Sequence, residues 1–222
     1  MSALRGTPEV EPPEGGVSVH ISQHPLVRHK LGLLRRRDTP PWLFRQLIRE
    51  LTLLLLYEAT ADLALWTERI ETPLEVAEVS TLAQRVGLAP ILRAGLGMVE
   101  AALELFPTAD VRHLGIYRDH ATLLPVEYYS RLQGIPRADV YLILDPMLAT
   151  GQSAVAAVDL LTRWGVQHIK FVGIIGAPEG IRRLHESHPA VEIYLAAEDR
   201  QLNAAGYILP GLGDAGDRQF RT

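Results

Sequence analysis

Short apolar runs alternate with stretches of helical length through the second half of the chain, and this alternation limits the available folds more than any other feature of the sequence. The runs are LAPIL (88–92), VRHLGIY (111–117), VYLILD (140–145), IKFVGIIGAP (169–178) and VEIYLAA (191–197). Between the last three lie SAVAAVDLLTRWG (153–165) and EGIRRLHESHP (179–189), each long enough for a crossover helix and each with a terminator, Gly165 or Pro189. Strand, helix, strand, helix, strand predicts an α/β fold with a mostly parallel central sheet and helices on both faces. Ligands of such sheets bind beyond the carboxyl ends of the strands. The positions that follow the runs are therefore the ones to watch: Arg93, Arg118, Asp145 and residues 177–180.

The chain before Leu88 reads differently. Its first twenty residues, MSALRGTPEVEPPEGGVSVH, are rich in Pro, Gly and Glu, have no apolar leader core, and are expected to form a flexible tail ahead of one domain at 21–222. HPLVRHKLGLLRRRDTPP carries Arg28, Lys30, Arg35, Arg36 and Arg37 without interleaved aromatics, which reads as a solvated helix face. Thr39 is placed to cap a second helix, with Pro40 and Pro41 at its first positions, running from about Trp42 to Leu63. Leu43, Leu47, Leu51 and Leu54 follow helical spacing, while Leu53, Leu55 and Leu56 add apolar groups on a second side. A helix apolar on two sides is buried twice, in the core and at a subunit interface, which predicts a homodimer or higher homo-oligomer.

Composition removes several classes of function. Net charge is −4 with 22% charged residues, so there is no basic surplus to draw nucleic acid or an acidic membrane surface. The absence of cysteine excludes disulfides and thiolate metal sites and suits a reducing, cytoplasmic setting. The eight histidines show no HExxH or comparable metal spacing. The apolar run at 53–57 falls far short of the roughly 20 residues that a membrane-spanning helix requires.

Two loops carry the chemistry. In LILDPMLATGQS (142–153) an apolar strand ends on Asp145 and a small, hydroxylated loop leads into a helix. The unpaired N–H groups and positive dipole end of that helix, with the hydroxyls of Thr150 and Ser153, would take a phosphate, and Asp145 could accept hydrogen bonds from ribose hydroxyls. The alternative is an ordinary strand-to-helix turn with a capping Asp and Thr-Gly turn residues. In GYILPGLGDAGDR (206–218), Gly211, Gly213 and Gly216 satisfy G-x-G-x-x-G, but only six residues follow Gly216, so the βαβ context of a dinucleotide site is missing. Pro210 and the glycines fit a tight loop whose backbone approaches a flat ligand closely.

LILDPMLATGQS resembles the phosphoribosyl-diphosphate (PRPP) motif of type I phosphoribosyltransferases, in the DPMLATGGS form of the uracil phosphoribosyltransferases. The resemblance extends to HPLVRHKLGLLR, YEATADL, PILRAGLGMVE, YRDHATLLPVEYYSRL, SAVAAVDLL, APEGI and GYILPGLGDAGDR, nearly all of the chain after the tail. It implies the type I phosphoribosyltransferase fold, with a β-hairpin hood at HLGIYRDHATLLPVEYYSRL and a C-terminal base-binding loop. It also implies conversion of uracil and PRPP to UMP and diphosphate.

By the same resemblance, Asp145, Pro146, Met147, Leu148, Ala149, Thr150, Gly151, Gln152 and Ser153 would hold the ribose 5-phosphate and ribose hydroxyls. Arg93 and Arg118 would contact the pyrophosphate. Ile208, Gly213, Asp214 and Ala215 would bind uracil, with Asp214 also bordering PRPP. Arg93, Arg118, Asp145 and Asp214 are thus the catalytic candidates, and Mg²⁺ is expected to be bound mainly through PRPP. GTP, an activator of some relatives, is a further candidate partner. Uracil offers acceptor, donor, acceptor along one edge, so a rigid donor, acceptor, donor row of backbone groups would accept it and leave cytosine mispaired.

Two positions separate this chain from common patterns. Pro146 stands where many type I relatives have a second acid, as in the uracil-specific branch. Gln152 stands where the motif usually has glycine, and a required positive φ there would strain the loop. A catalytically weakened nucleotide-sensing regulator on the same fold, or a phosphoribosyltransferase for another nucleobase, are the alternatives.

Overall fold

The computed structural model describes residues 19–118, 125–129 and 137–222, with the backbone alone at 117, 118 and 125–129. In chain order the elements are β1 (Val19–Ile21), α1 (Pro25–Arg35), α2 (Pro41–Ala59), β2 (Leu65–Glu71), β3 (Val76–Leu82), β4 (Val86–Leu92), α3 (Leu96–Leu105), β5 (Asp110–Val111), β6 (Leu114–Arg118) and β7 (Pro125–Tyr129). They continue with β8 (Val140–Leu144), β9 (Met147–Leu148), α4 (Gln152–Arg163), β10 (His168–Gly176), α5 (Pro178–Ser187), β11 (Glu192–Glu198), β12 (Gln201–Leu202), β13 (Ile208–Leu209) and α6 (Ala215–Phe220).

The central sheet runs β1-β11-β10-β8-β4-β6-β7, with β5 beside β4 and β9 beside β10. Its pairings are parallel except for β6 with β7, so the predicted α/β architecture is present. The apolar runs are continuous because both faces of the inner strands are covered. On β8, Leu142 and Leu144 enter the core beneath α1, α2 and α3, while Tyr141 and Ile143 enter the core beneath α4 and α5. The period of two thus serves two cores at once.

Several sequence expectations change in the structure. The sheet begins inside the stretch assigned to the tail, since Val19 and His20 belong to β1, which pairs with β11, and the His20 ring stacks on Tyr194 at 4.3 Å. Thr39 does not cap α2: its hydroxyl donates to Leu33 O at 2.6 Å, closing the end of α1, and α2 starts at Pro41 and stops at Ala59 rather than Leu63. Part of the second apolar side of α2 is met within the chain, where α2 touches α1, α3, α6, β10 and β11, while Leu53 is half-buried. Leu55 and Leu56 are fully buried there. No element was expected at 65–82, yet β2 and β3 form a separate antiparallel hairpin. Every residue of β2 is exposed, so it lacks the one-sided alternation by which a half-buried strand is read. The hood hairpin is present as β6 and β7, while residues 119–124 between them lie outside the described residues.

Candidate active site

The parallel register brings the strand ends to one edge. Pro90 of β4 pairs with Leu144 of β8, and Leu144 pairs with Val172 of β10. Asp145 therefore emerges beside the loop that starts with Arg93. The segment after Asp145 is then tied to β10 by backbone alone: Pro146 O accepts from the N–H groups of Ile174 and Ile175 at 3.0 and 3.1 Å, and Leu148 O accepts from Ala177 N–H at 2.9 Å. Met147 and Leu148 form β9 against Ile175 and Gly176.

Gly151 makes the turn into α4. It has φ +78°, and a Cβ there would stand 2.7 Å from Gly180 O. Only glycine combines that backbone conformation with that approach. Gln152 is the first residue of α4 and has a negative φ, since Arg221 is the one non-glycine residue with a positive φ among the described residues. The strained geometry feared for Gln152 is not present: Gly151 carries the left-handed turn instead. Thr150 and Ser153 are half-buried on either side of it. The first N–H groups of a helix have no intrahelical carbonyl to bond, and those of α4 directly follow this loop, which suits an anion.

Asp145 retains some exposure to the site, but the density of protein around its carboxyl raises its pKa to about 7. The N–H of Met147, 3.3 Å from Oδ1, pulls the other way, and the negative charge of Asp214 adds to the rise. Asp214 caps α6, accepting from Asp217 N–H at 2.9 Å, and its charge acts on Asp145, so the start of α6 lies near the end of β8.

Arg93 is exposed at the end of β4. Its guanidinium reaches Thr222 Oγ1 at 3.4 Å and lies 3.8 Å from Asp217 Oδ1, so the pyrophosphate candidate meets the C-terminal segment directly. Arg118 closes β6, a neighbour of β4, and its side chain lies outside the described residues.

The base-loop candidates divide by environment. The side chains of Ile208 and Ala215 are buried in the core, which leaves their main-chain groups to face a ligand. Gly213 is exposed with φ +80°, and the Leu209–Pro210 peptide is cis.

Four side chains that the sequence reading left out hold this loop. Asp199, just past β11, accepts from Arg35 at 2.5 and 2.8 Å and from Gly211 N–H at 2.9 Å. Arg35 also donates to Gly211 O at 2.8 Å. Arg218 donates to Leu34 O, Leu212 O and Arg36 O at 3.0, 2.7 and 2.6 Å and lies over the Phe44 ring. Gln219, fully buried, donates to Ala94 O and Ala215 O, linking the Arg93 loop to the base loop. Arg35 was read as part of a solvated face; it is paired and largely covered instead. No spacing signal could have found these contacts, since the partners lie up to 184 residues apart. A cavity of about 520 Å³ has Gln23, Arg28, Arg35 and Glu198 in its wall and does not include the phosphate loop.

The chain matches the family model described as uracil phosphoribosyltransferase over residues 21–222. It belongs to the uracil phosphoribosyltransferase family. Within that family it is 62% identical over 204 residues to the uracil phosphoribosyltransferase of Roseiflexus castenholzii, covering 92% of this chain and 98% of the relative. It is 48% identical over 206 residues to that of Listeria innocua, covering 92% and 99%. The solved AQ2163 protein from Aquifex aeolicus shares the fold of this uracil phosphoribosyltransferase family member at 38% identity, with a TM-score of 0.85 over 91% of this chain and 97% of that one.

Proposed function

We propose that the chain transfers the phosphoribosyl group of PRPP to N1 of uracil, giving UMP and diphosphate. The observation that carries this reading is the convergence, in a family member, of the Asp145 to Ser153 loop, the Arg93 loop and the glycine-rich loop at 208–215. The phosphate would rest on the start of α4, with the ribose hydroxyls on Asp145 and the base on main-chain groups of Ile208, Gly213, Asp214 and Ala215. Arg93 and Arg118 would clamp the diphosphate, which leaves with high negative charge. The reaction needs no protein nucleophile: alignment of N1 with the sugar carbon and stabilisation of the departing charge supply the rate. The hood would exclude water from an oxocarbenium-like sugar.

Mg²⁺ fits as a companion of PRPP, neutralising diphosphate charge. Asp145, Asp214 and Asp217 are acids near the site, and no group of three or more His, Cys, Asp or Glu side chains able to hold a metal ion gathers among the described residues. Charged, phosphorylated substrates suit a cytoplasmic setting, and among the described residues no helix is long and apolar enough to cross a membrane. The homo-oligomer reading moves from α2 to the β2–β3 hairpin, where Leu65, Trp66, Ile70, Leu74, Val76 and Leu82 are exposed together. GTP stands as a candidate activator on family resemblance alone.

The deciding experiment is UMP formation from uracil and PRPP with Mg²⁺, beside cytosine and hypoxanthine, with and without GTP. Uracil-dependent turnover is expected. Binding of PRPP or UMP without turnover would overturn the enzyme reading in favour of a nucleotide sensor, and turnover with another base would reassign the substrate.

A further inference from the structure

We infer that Arg35 and Asp199 are positioning residues that set the base pocket's choice of uracil without touching the base; the inference rests on the uracil reading above. Gly211 lies between Ile208 and the Gly213 to Ala215 segment, the groups proposed to read the base. Both polar groups of Gly211 are held: its N–H donates to Asp199 Oδ2 at 2.9 Å, and its carbonyl accepts from Arg35 Nη1 at 2.8 Å. The two side chains are joined to each other at 2.5 and 2.8 Å, and the Asp199 side chain is 4% exposed. Asp199 is itself anchored to the sheet, its N–H donating to Gly176 O at 2.7 Å.

A pair of charges removed from water is a costly way to hold a loop merely in place. What it supplies is direction. A bidentate guanidinium–carboxylate pair has one geometry, and here it fixes the planes of the two peptides that meet at Gly211. Gly211 has φ +67°, and a Cβ there would stand 2.2 Å from Ile208 O, so the main chain at Gly211 passes close against Ile208 O.

A pocket built from main chain discriminates through the direction of its N–H and C=O groups. Turning one peptide plane exchanges a donor for an acceptor, which is the difference between uracil and cytosine along the edge that is read. The bracket of Arg35 and Asp199 therefore holds specificity from behind the pocket.

Asp199→Asn keeps the shape and turns an amide toward Arg35, and Arg35→Lys keeps the charge and loses the fork. Steady-state kinetics of both should show KM for uracil raised about tenfold and the preference for uracil over cytosine reduced about tenfold, with kcat and the KM for PRPP within about threefold of the wild type. A lower thermal midpoint with unchanged uracil KM and unchanged base preference would mean a packing role only and would overturn the inference. If the wild type makes no UMP, the uracil reading fails and this inference falls with it; an active wild type with unmoved variants sinks this inference alone. Should neither variant fold, hydrogen exchange on the free wild type decides. Slow exchange of the Gly211 amide before any base is added supports the bracket, and exchange as fast as that of the Gly213 amide refutes it.

Discussion

The two candidate loops, for phosphate after β8 and for the base after β11, both follow strands of the central sheet, yet they are held by different means. The phosphate loop is fixed by backbone: carbonyls of Pro146 and Leu148 on the N–H groups of β10 and Ala177, and Gly151 pressed against Gly180. The base loop is fixed by side chains that arrive from elsewhere: Arg35 from α1, Asp199 from the end of β11, Arg218 and Gln219 from α6. A phosphate needs a fixed row of N–H groups whatever else the chain does, and a strand-to-helix turn supplies that row locally. A base needs a particular order of donors and acceptors, and the loop that presents it has only two-residue strands of its own to hold it.

The largest effect is expected on the backbone side. Gly151→Ala places a side chain at φ +78° and against Gly180 O, so UMP formation at limiting PRPP should fall by about two orders of magnitude, as misplacement by about 1 Å at a reacting site can cost. A kcat/KM for PRPP that stays near wild type would show that the loop is not tightly held.

Asp145 gives the next effect, through pH. Its carboxyl is raised from the ordinary 3.8 to about 7, so the folded chain keeps this proton while the unfolded chain loses it. The group's contribution to stability is full below about pH 4, falls as pH rises towards about 7, and is level above that. The same titration turns Asp145 into a better acceptor for ribose hydroxyls, so the KM for PRPP should drop as pH rises from 6 to 8. Asp145→Asn should flatten both profiles and raise the KM for PRPP about tenfold at pH 8. Thermal midpoints and PRPP titrations across that range check the two signs, and a KM profile unchanged by the substitution would remove Asp145 from the ribose site.

Arg218→Met sharpens the other side. It keeps a flexible apolar stem near Phe44 and deletes the bonds to Leu34, Leu212 and Arg36. The KM for uracil should rise about threefold to tenfold while that for PRPP stays nearly constant. Equal rises for both substrates would mean that the two loops are held as one piece.

Gln152→Gly should do least. Because Gln152 already has an ordinary helical backbone, turnover should stay within about threefold of wild type, with stability lower by up to about 1 kcal/mol for glycine in a helix. A large gain in UMP formation would show that the glutamine crowds the phosphate after all.

The same division explains what could be read in advance. The strands β4, β8, β10 and β11 and helices α4 and α5 were legible because burial on both faces leaves unbroken apolar runs, with helices between them long enough to cross over. Asp145, Gly151 and Ser153 could be singled out as candidates because all lie in one loop. The β2–β3 hairpin was not, because every residue of β2 is exposed and β3 alternates only between exposed and half-buried positions. Thr39 was misplaced because a hydroxyl before two prolines looks like a cap from either side, and only the end of α1 decided which helix it serves.

Sequence alone determined the α/β layering, the turn that leads from β8 into α4 and the presence of a glycine-rich turn at 206–216, since each depends on residues close together in the chain. The tertiary structure decided that Gly151, not Gln152, takes the left-handed conformation, that Arg35 is a bracket and not a solvated charge, and that Gln219 joins the Arg93 loop to the base loop. The last two are pairings between side chains and backbone groups far apart in sequence, and a hydrogen bond across such a distance leaves no period or spacing for a reader to find.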